Sequence, residues 1–387
     1  MYSTYRWLSI FVVESTAGAT VNAVEQFEKI KRRAIMDRII EQVKEYYGKQ
    51  IQNKNDLATS TCCCTEKPPV EVREILPLIA DEIQERFYGC GSVLPPMLEG
   101  MTVLDLGCGT GRDIYIASKL VGESGMAVGV DMTTEQIEIA KKYQEEQRER
   151  FGYKTSNVRL FQGYIEDLKS LGIEDNSVDV VISNCVINLS PAKELVFKEI
   201  YRVLKPGGEL YFSDIFADRR IPEDLANDPL LRGECLSGVM YVEDFRRLMM
   251  KAGWADFRYT ETRSVELSDD DIKNKLGFAN FTSRTVRAFK LDDLEDICED
   301  YGQVAVYNGS IPGYPHFFDL DDHHRFYTNK PMLVCGNTAS MVSGTRYGQA
   351  FQVIGDRSTH FGAFAGCGTD SESVCGCSDT VSGTSCC

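Results

Sequence analysis

Between residues 102 and 215, short apolar runs alternate with stretches of helical periodicity, and no other feature of the chain restricts its fold so strongly. The runs Thr102–Leu106, Met126–Asp131, Val158–Gln162, Val178–Ser183 and Glu209–Ile215 read as buried strands. Helical patterns near Asp113–Leu120, Thr134–Arg150 and Ala192–Leu204 lie between them, and Lys205-Pro206-Gly207-Gly208 reads as a turn into the last strand. Strands that alternate with helices pair in parallel, so this region predicts an α/β fold: a parallel sheet with helices on both faces.

The flanks carry other patterns. From Val21 to Tyr47, Val24, Phe27, Ile30, Ala34, Ile39, Val43 and Tyr46 recur at helical spacing. A polar loop, Gly48–Thr61, then leads to Cys62, Cys63 and Cys64. A second helical stretch, Val70–Tyr88, contains Pro77, which predicts a kink or a late start. A further helix is predicted over Val242–Lys251. Residues 256–365 are mixed, with strands near Gln303–Tyr307 and Met332–Val334, and predict a smaller C-terminal α+β domain. The tail from Gly366 to Cys387 has no aromatic residue, is rich in Gly, Ser and Thr, and predicts a flexible segment. The expected organisation is an N-terminal helix and Cys-bearing loop (1–69), an α/β domain (70–255), an α+β domain (256–365) and a Cys-rich tail (366–387).

Composition narrows the chemistry. Asp and Glu number 58 against 42 Lys and Arg, a formal net charge of −16, which argues against a nucleic-acid partner. No apolar run reaches 18 residues, so no membrane span is expected, and the start of the chain lacks a clear leader pattern. The expectation is a cytoplasmic protein in a reducing compartment, with a monomer as the default state. The chain has 14 Cys but only four His, and His316, His323, His324 and His360 all lie late. That count argues against a His-rich metal site or a His-based triad, and sulfur is the better candidate for chemistry.

The sharpest local motif joins the first strand to the next helix: Val103-Leu104-Asp105-Leu106-Gly107-Cys108-Gly109-Thr110-Gly111. Gly107, Gly109 and Gly111 permit a tight turn and close approach of a ligand to the backbone. Asp131 ends the second strand, where an acidic side chain accepts hydrogen bonds from ribose hydroxyls. The G-x-G-x-G spacing, with Asp105 inside the strand, resembles motif I of class I methyltransferases that use S-adenosylmethionine, rather than the G-x-G-x-x-G loop of nicotinamide binding. The resemblance implies a Rossmann-like sheet. It further implies Met132 against the adenine, Ile165 and Glu166 along its edge, and Asn184 near the methionyl part.

Cys185 follows the fourth strand and Cys235 lies in a loop after the fifth, on the side where open α/β sheets bind ligands. Two thiols beside a methyl donor suggest a substrate held by sulfur. Cys108, Cys298 and Cys335 read as structural thiols. The wider pattern is Asp56-Leu57 leading to Cys62, then Phe87-Tyr88-Gly89-Cys90-Gly91, Ser183-Asn184-Cys185-Val186-Ile187-Asn188-Leu189 and Gly233-Glu234-Cys235-Leu236. The four cysteines are separated by 28, 95 and 50 residues. This arrangement strongly resembles the arsenite S-adenosylmethionine methyltransferases. The resemblance runs from about Tyr46 to about Arg357 and is loose beyond Gly253.

Trivalent arsenic is soft and prefers thiolates. The resemblance implies Cys185 and Cys235 as its main ligands and Cys90 as the third, with arsenic's lone pair left free to attack a sulfonium methyl. It also implies a Cys62–Cys90 disulfide that returns oxidised arsenic to the trivalent state, and thioredoxin or glutathione as the thiol reductant. The products would be mono-, di- and trimethylated arsenic. Counting from the following helix leaves a one-residue offset, so Cys63 or Cys64 stays open in place of Cys62. Two other readings compete: a methyltransferase for a carbon, nitrogen or oxygen acceptor, and a soft-metal storage protein. The first usually needs a base, which the absence of His from the α/β region disfavours. The second leaves the glycine loop unexplained.

Overall fold

Alternate residues of the central strands face two different cores. Val103, Val180 and Ile182 pack with Ile114, Ile116 and Val121 and with Ile75, Ile79 and Ile83 on one face. Leu104, Leu106, Val181, Leu210 and Phe212 pack with Phe197, Ile200, Phe245 and Trp254 on the other. Burying each such side chain contributes about 1.5–3 kcal/mol, which is why these strands read as largely apolar runs. The structure is a computed structural model that describes residues 36, 38–47, 68–87, 89, 92–222, 225, 228, 231, 236, 238–267 and 270–365. Cys62, Cys63, Cys64, Cys90, Cys235, most of the Val21–Tyr47 stretch and the tail from 366 lie outside the described residues.

The parallel strands are β1 (Thr102–Leu106), β2 (Met126–Asp131), β3 (Val158–Gln162), β4 (Val178–Asn184) and β5 (Leu204–Ala217). The short β6 (Met240–Tyr241) pairs with the end of β5, while β7 (Arg258–Val265) and β8 (Phe281–Phe289) complete the sheet. The order is β3-β2-β1-β4-β5-β8-β7. The order reverses between β1 and β4, and such a switch point opens a crevice at the carboxyl ends of the strands. Helices Arg112–Val121, Thr134–Lys142, Lys193–Val203 and Val242–Lys251 cover the faces. Pro77 breaks the Val70–Tyr88 stretch into a helix at Val70–Ile75, a 3-10 turn at Leu76–Leu78 and a helix at Asp81–Glu85.

Two expectations are corrected. Lys205-Pro206-Gly207-Gly208 is not a turn before β5 but an irregularity within it. Val178 pairs with Leu204 and Val180 with Glu209, and the excess residues bulge out with Gly207 at φ +77°. The α/β domain was expected to end at residue 255. Instead β8 runs antiparallel to β5, β7 joins β8, and the compact unit extends to Asp292. In β7 the half-buried Glu261 and Arg263 alternate with exposed Thr262 and Ser264, so the strand offers no apolar run to read.

The second unit begins at Asp293. Its β10 (Gln303–Tyr307) lies between β13 (Met332–Val334) and β14 (Phe351–Ile354), antiparallel to both. Tyr307, Phe318, Phe326, Tyr347 and Phe351 form an aromatic core beside the Gly336–Ser343 helix. Two-stranded pairs β11 (Phe317–Asp319) with β12 (Arg325–Tyr327), and β9 (Glu299–Asp300) with β15 (Gly362–Ala363), complete it. Among the described residues, no helix is long and apolar enough to cross a membrane.

Candidate active site

The glycine loop is built by backbone contacts. The N–H groups of Gly107 and Cys108 both donate to the Val130 carbonyl, at 2.8 and 3.1 Å, which pins the loop across the β1–β2 edge. Gly107 has φ +78°, and a Cβ there would sit 2.4 Å from the Val186 side chain, so a larger residue is excluded by both conformation and space. The Gly109 N–H donates to Asp131 Oδ2 at 3.0 Å and the Thr133 N–H to Asp131 Oδ1 at 2.8 Å. Each Asp131 oxygen retains further acceptor capacity. Cys108 is buried and free, and fills the space above Gly129, where a Cβ would come 2.8 Å from its sulfur. That is the packing role expected for it.

A cleft of about 1060 Å³, its open mouth included, lies over the loop. It is lined by Asp105, Gly107, Gly109, Asp131, Met132, Ile165, Glu166, Asn184 and Cys185, so the expected cofactor residues meet in one place. The exception is Gly111, which starts the Arg112–Val121 helix at φ +99° beneath the loop. Glu166 accepts a 2.5 Å hydrogen bond from the Ser190 hydroxyl.

Three carboxyls surround the loop. Burial pushes Asp105 well above the usual carboxylate range, and the neighbouring charges of Asp113 and Asp131 add to the effect. Burial also raises Asp113, offset by Arg112 and by the Asn184 amide, which donates to it at 3.0 Å. It raises Asp131 too, offset by the Thr133 and Gly109 N–H bonds. Clustered, desolvated carboxyls suit a cationic ligand.

Cys185 leaves β4 in the left-handed region, at φ +59°. A non-glycine residue there is uncommon and costs on the order of 1–3 kcal/mol. Its N–H donates to the Ser213 carbonyl at 2.8 Å, and the reversal sends the chain into the 3-10 turn Ile187–Leu189. Asn188 fixes that turn. Its backbone N–H and side-chain amide donate to the two oxygens of buried Asp214, at 2.9 and 2.7 Å. The sulfur of Cys185 is in a disulfide, whereas Cys108 is a free thiol.

The segments flanking the other expected thiols converge here. Gly89, next to Cys90, lies against Asn184, next to Cys185; a Cβ on Gly89 would come 2.6 Å from the Asn184 amide. Phe87 stacks under the Arg112 guanidinium at 3.8 Å, and Arg112 pairs with Asp113 at 2.9 Å. Leu236, next to Cys235, shares a buried apolar cluster with Cys185, Leu231 and Ile215. Gly238 follows, so close to Asn188 that a Cβ would sit 2.0 Å from its carbonyl oxygen.

Comparison with known proteins accords with this geometry. The chain is 51% identical over 328 residues to an arsenite methyltransferase of Aquipseudomonas alcaligenes, covering 85% of this chain and 94% of the relative. The chain belongs to the arsenite methyltransferase family. A mouse arsenite methyltransferase is 40% identical over 318 residues, covering 81% of this chain and 83% of that protein. The crystal structure of an arsenic(III) S-adenosylmethionine methyltransferase from Chlamydomonas reinhardtii matches with 52% identity and a TM-score of 0.75, over 77% of this chain and all of that one. A methyltransferase domain model matches residues 98–253, and an arsenite methyltransferase C-terminal domain model matches 301–377. The family's Rossmann-like fold is therefore present as expected.

Sequence reasoning missed several residues of this family member's site. Asp113, Arg112 and Gln136 line the cleft, but each reads as an ordinary polar position of an amphipathic helix. Tyr47 and Val43 also line it, and their distance along the chain from the glycine loop hides the contact.

Proposed function

We propose that this chain methylates arsenite with S-adenosylmethionine as methyl donor, the arsenic being held by Cys90, Cys185 and Cys235. The observation that carries the reading is the meeting of three thiol-bearing segments at the rim of the cleft: Gly89 on Asn184, Cys185 at the end of β4, and Leu236 in the Cys185 cluster.

The cleft fits the donor. The glycine cradle leaves room for close approach of a ligand, Asp131 keeps acceptor capacity that ribose hydroxyls would use, and the Asp105, Asp113 and Asp131 cluster favours a cation. When bound, S-adenosylmethionine supplies an electrophilic sulfonium methyl. Residues of this chain supply the rest. The thiolates fix arsenic with its lone pair aimed into the cleft, so that the nucleophile needs no general base. The apolar cluster of Ile215, Leu231 and Leu236 excludes water on the Cys185 side. Methyl transfer oxidises arsenic from the trivalent to the pentavalent state, and a pair of protein thiols, Cys62 and Cys90 in our reading, returns two electrons and becomes a disulfide. Thioredoxin or glutathione then restores the thiols by exchange. Successive rounds yield mono-, di- and trimethylated products. The disulfide at Cys185 supports a need for reduction before arsenic binds, because only the thiolate is a ligand.

The test is Cys185→Ser in the full chain. It should abolish arsenite methylation while S-adenosylhomocysteine still binds, because the serine keeps the turn and removes the soft ligand. Near-normal turnover would remove Cys185 from the arsenic site.

A further inference from the structure

Asn188 lies three residues beyond Cys185 and is held from several sides. Its backbone N–H and side-chain amide donate to Asp214, and the amide also donates to the Ile215 carbonyl at 2.7 Å. Its own carbonyl accepts from Lys193 Nζ at 3.0 Å, and the same ammonium donates to the Ser190 carbonyl at 2.9 Å. The turn after β4 is thus strung between an acid on β5 and a cation on the next helix. Two features run against ordinary stability. Lys193 opens the Lys193–Val203 helix, where the dipole disfavours a cation. Asn188 Oδ1 is buried with no hydrogen-bond partner among the described residues, which costs free energy. Departures of this kind from local preference gather at functional sites.

Gly238 packs on the same carbonyl. A Cβ there would sit 2.0 Å from the Asn188 oxygen and 3.6 Å from Lys193 Nζ, so the position is closed to any larger residue. Gly238 follows Cys235 by three residues, as Asn188 follows Cys185 by three. The contact therefore fixes how the chain leaving Cys235 meets the chain leaving Cys185.

We propose that Lys193 and Gly238 form a clasp on the Asn188 carbonyl that sets the spacing of the two thiol-bearing segments. Lys193 is then a positioning residue for substrates that must bridge two protein thiolates. The proposal rests on the thiolate reading above and deepens it. The valence of arsenic makes the role measurable. Each As–S bond forms as an As–OH group and a thiol lose one water, with no change of oxidation state. Arsenite has three hydroxyls to exchange, monomethylarsonous acid two and dimethylarsinous acid one. The spacing between thiols matters to the first two and not to the third.

The experiment titrates the reduced full chain with each of these three arsenicals by calorimetry. Binding that Cys185→Ser removes is the signal, which sets aside the other cysteines. Lys193→Met and Gly238→Ala should each weaken arsenite and monomethylarsonous acid about tenfold, the size of coupling between groups in contact, and leave dimethylarsinous acid unchanged. Lys193→Arg keeps the charge and the donors and should retain most of the affinity; a loss equal to that of Lys193→Met would overturn the role of the carbonyl bonds. In Cys235→Ser no spacing is left to set, so adding Lys193→Met should change arsenite binding little. Unfolding without ligand controls for folding, and Gly238→Ala probes the clasp from its other side should Lys193→Met not fold. Equal losses for all three arsenicals, or no loss in either variant, would overturn the clasp. Wild type and Cys235→Ser binding arsenite alike would instead overturn the thiolate reading itself.

Discussion

At the scale of single residues, the site combines one strained position with a cluster of desolvated acids. Cys185 sits at φ +59° because β4 must reverse at once to bring Asn188 onto Asp214. The acids make a prediction of definite sign. Asp105, Asp113 and Asp131 are all raised by burial, so each holds its proton to a higher pH than a solvated carboxyl does. A cationic ligand favours the ionised forms, so binding should release protons and affinity should rise with pH through that range. Calorimetry in buffers of different ionisation heat should find more proton release for S-adenosylmethionine than for its homocysteine product, which lacks the sulfonium charge. Equal release would mean that these carboxyls do not sense the sulfonium. The meeting of Asp105, Gly107, Gly109 and Asp131 at the cleft was legible in the sequence, because they lie at or just beyond the carboxyl ends of β1 and β2. Gln136 was not, because a place on the cleft wall is a property of packing, and any polar residue suits a helix flank.

At the scale of elements, the turn after β4 holds the site together. Burial pushes Asp214 up to about 7 against its three N–H bonds, from Asn188 twice and from Ile215. The native state therefore binds this proton more tightly than the unfolded chain does. Stability from this group is fully present below the ordinary carboxylate range and is lost as pH rises towards 7. Asp214→Asn should remove that part of the pH dependence of unfolding temperature and should lower stability throughout, since an amide presents N–H groups to N–H groups. An unchanged pH profile would place Asp214 outside the linkage. Gly89 offers a sharper probe of convergence. Gly89→Ala puts a methyl 2.6 Å from the Asn184 amide and should spread the Cys90 and Cys185 segments. We expect KM for arsenite to rise more than KM for S-adenosylmethionine; an equal change in both would mean a general distortion of the cleft. Strand positions β1 to β4 were legible from apolar runs buried on two faces. The bulge in β5 and the edge strand β7 were not, because Pro-Gly-Gly imitates a turn and alternating charges imitate a loop.

At the scale of the whole molecule, the sheet unit to Asp292 carries the cleft, and a separate unit follows from Asp293. The boundary at residue 255 failed because β7 and β8 return to the sheet after the Val242–Lys251 helix, a long-range pairing with no local signature. The strands at Gln303–Tyr307 and Met332–Val334 were legible, since both are short apolar runs. Tail residues 366–387 carry five cysteines. If they are accessory, deleting them should leave turnover at saturating arsenite intact. A large loss would make them part of substrate delivery.

The central claim is arsenite methylation. Its most direct test supplies the purified, reduced full chain with S-adenosylmethionine, arsenite and a thiol reductant, and separates arsenic species by chromatography. The account predicts methylated arsenic together with S-adenosylhomocysteine, and neither in Cys185→Ser. Binding of S-adenosylmethionine without any methylated arsenic would contradict it and leave a methyltransferase whose acceptor is something else.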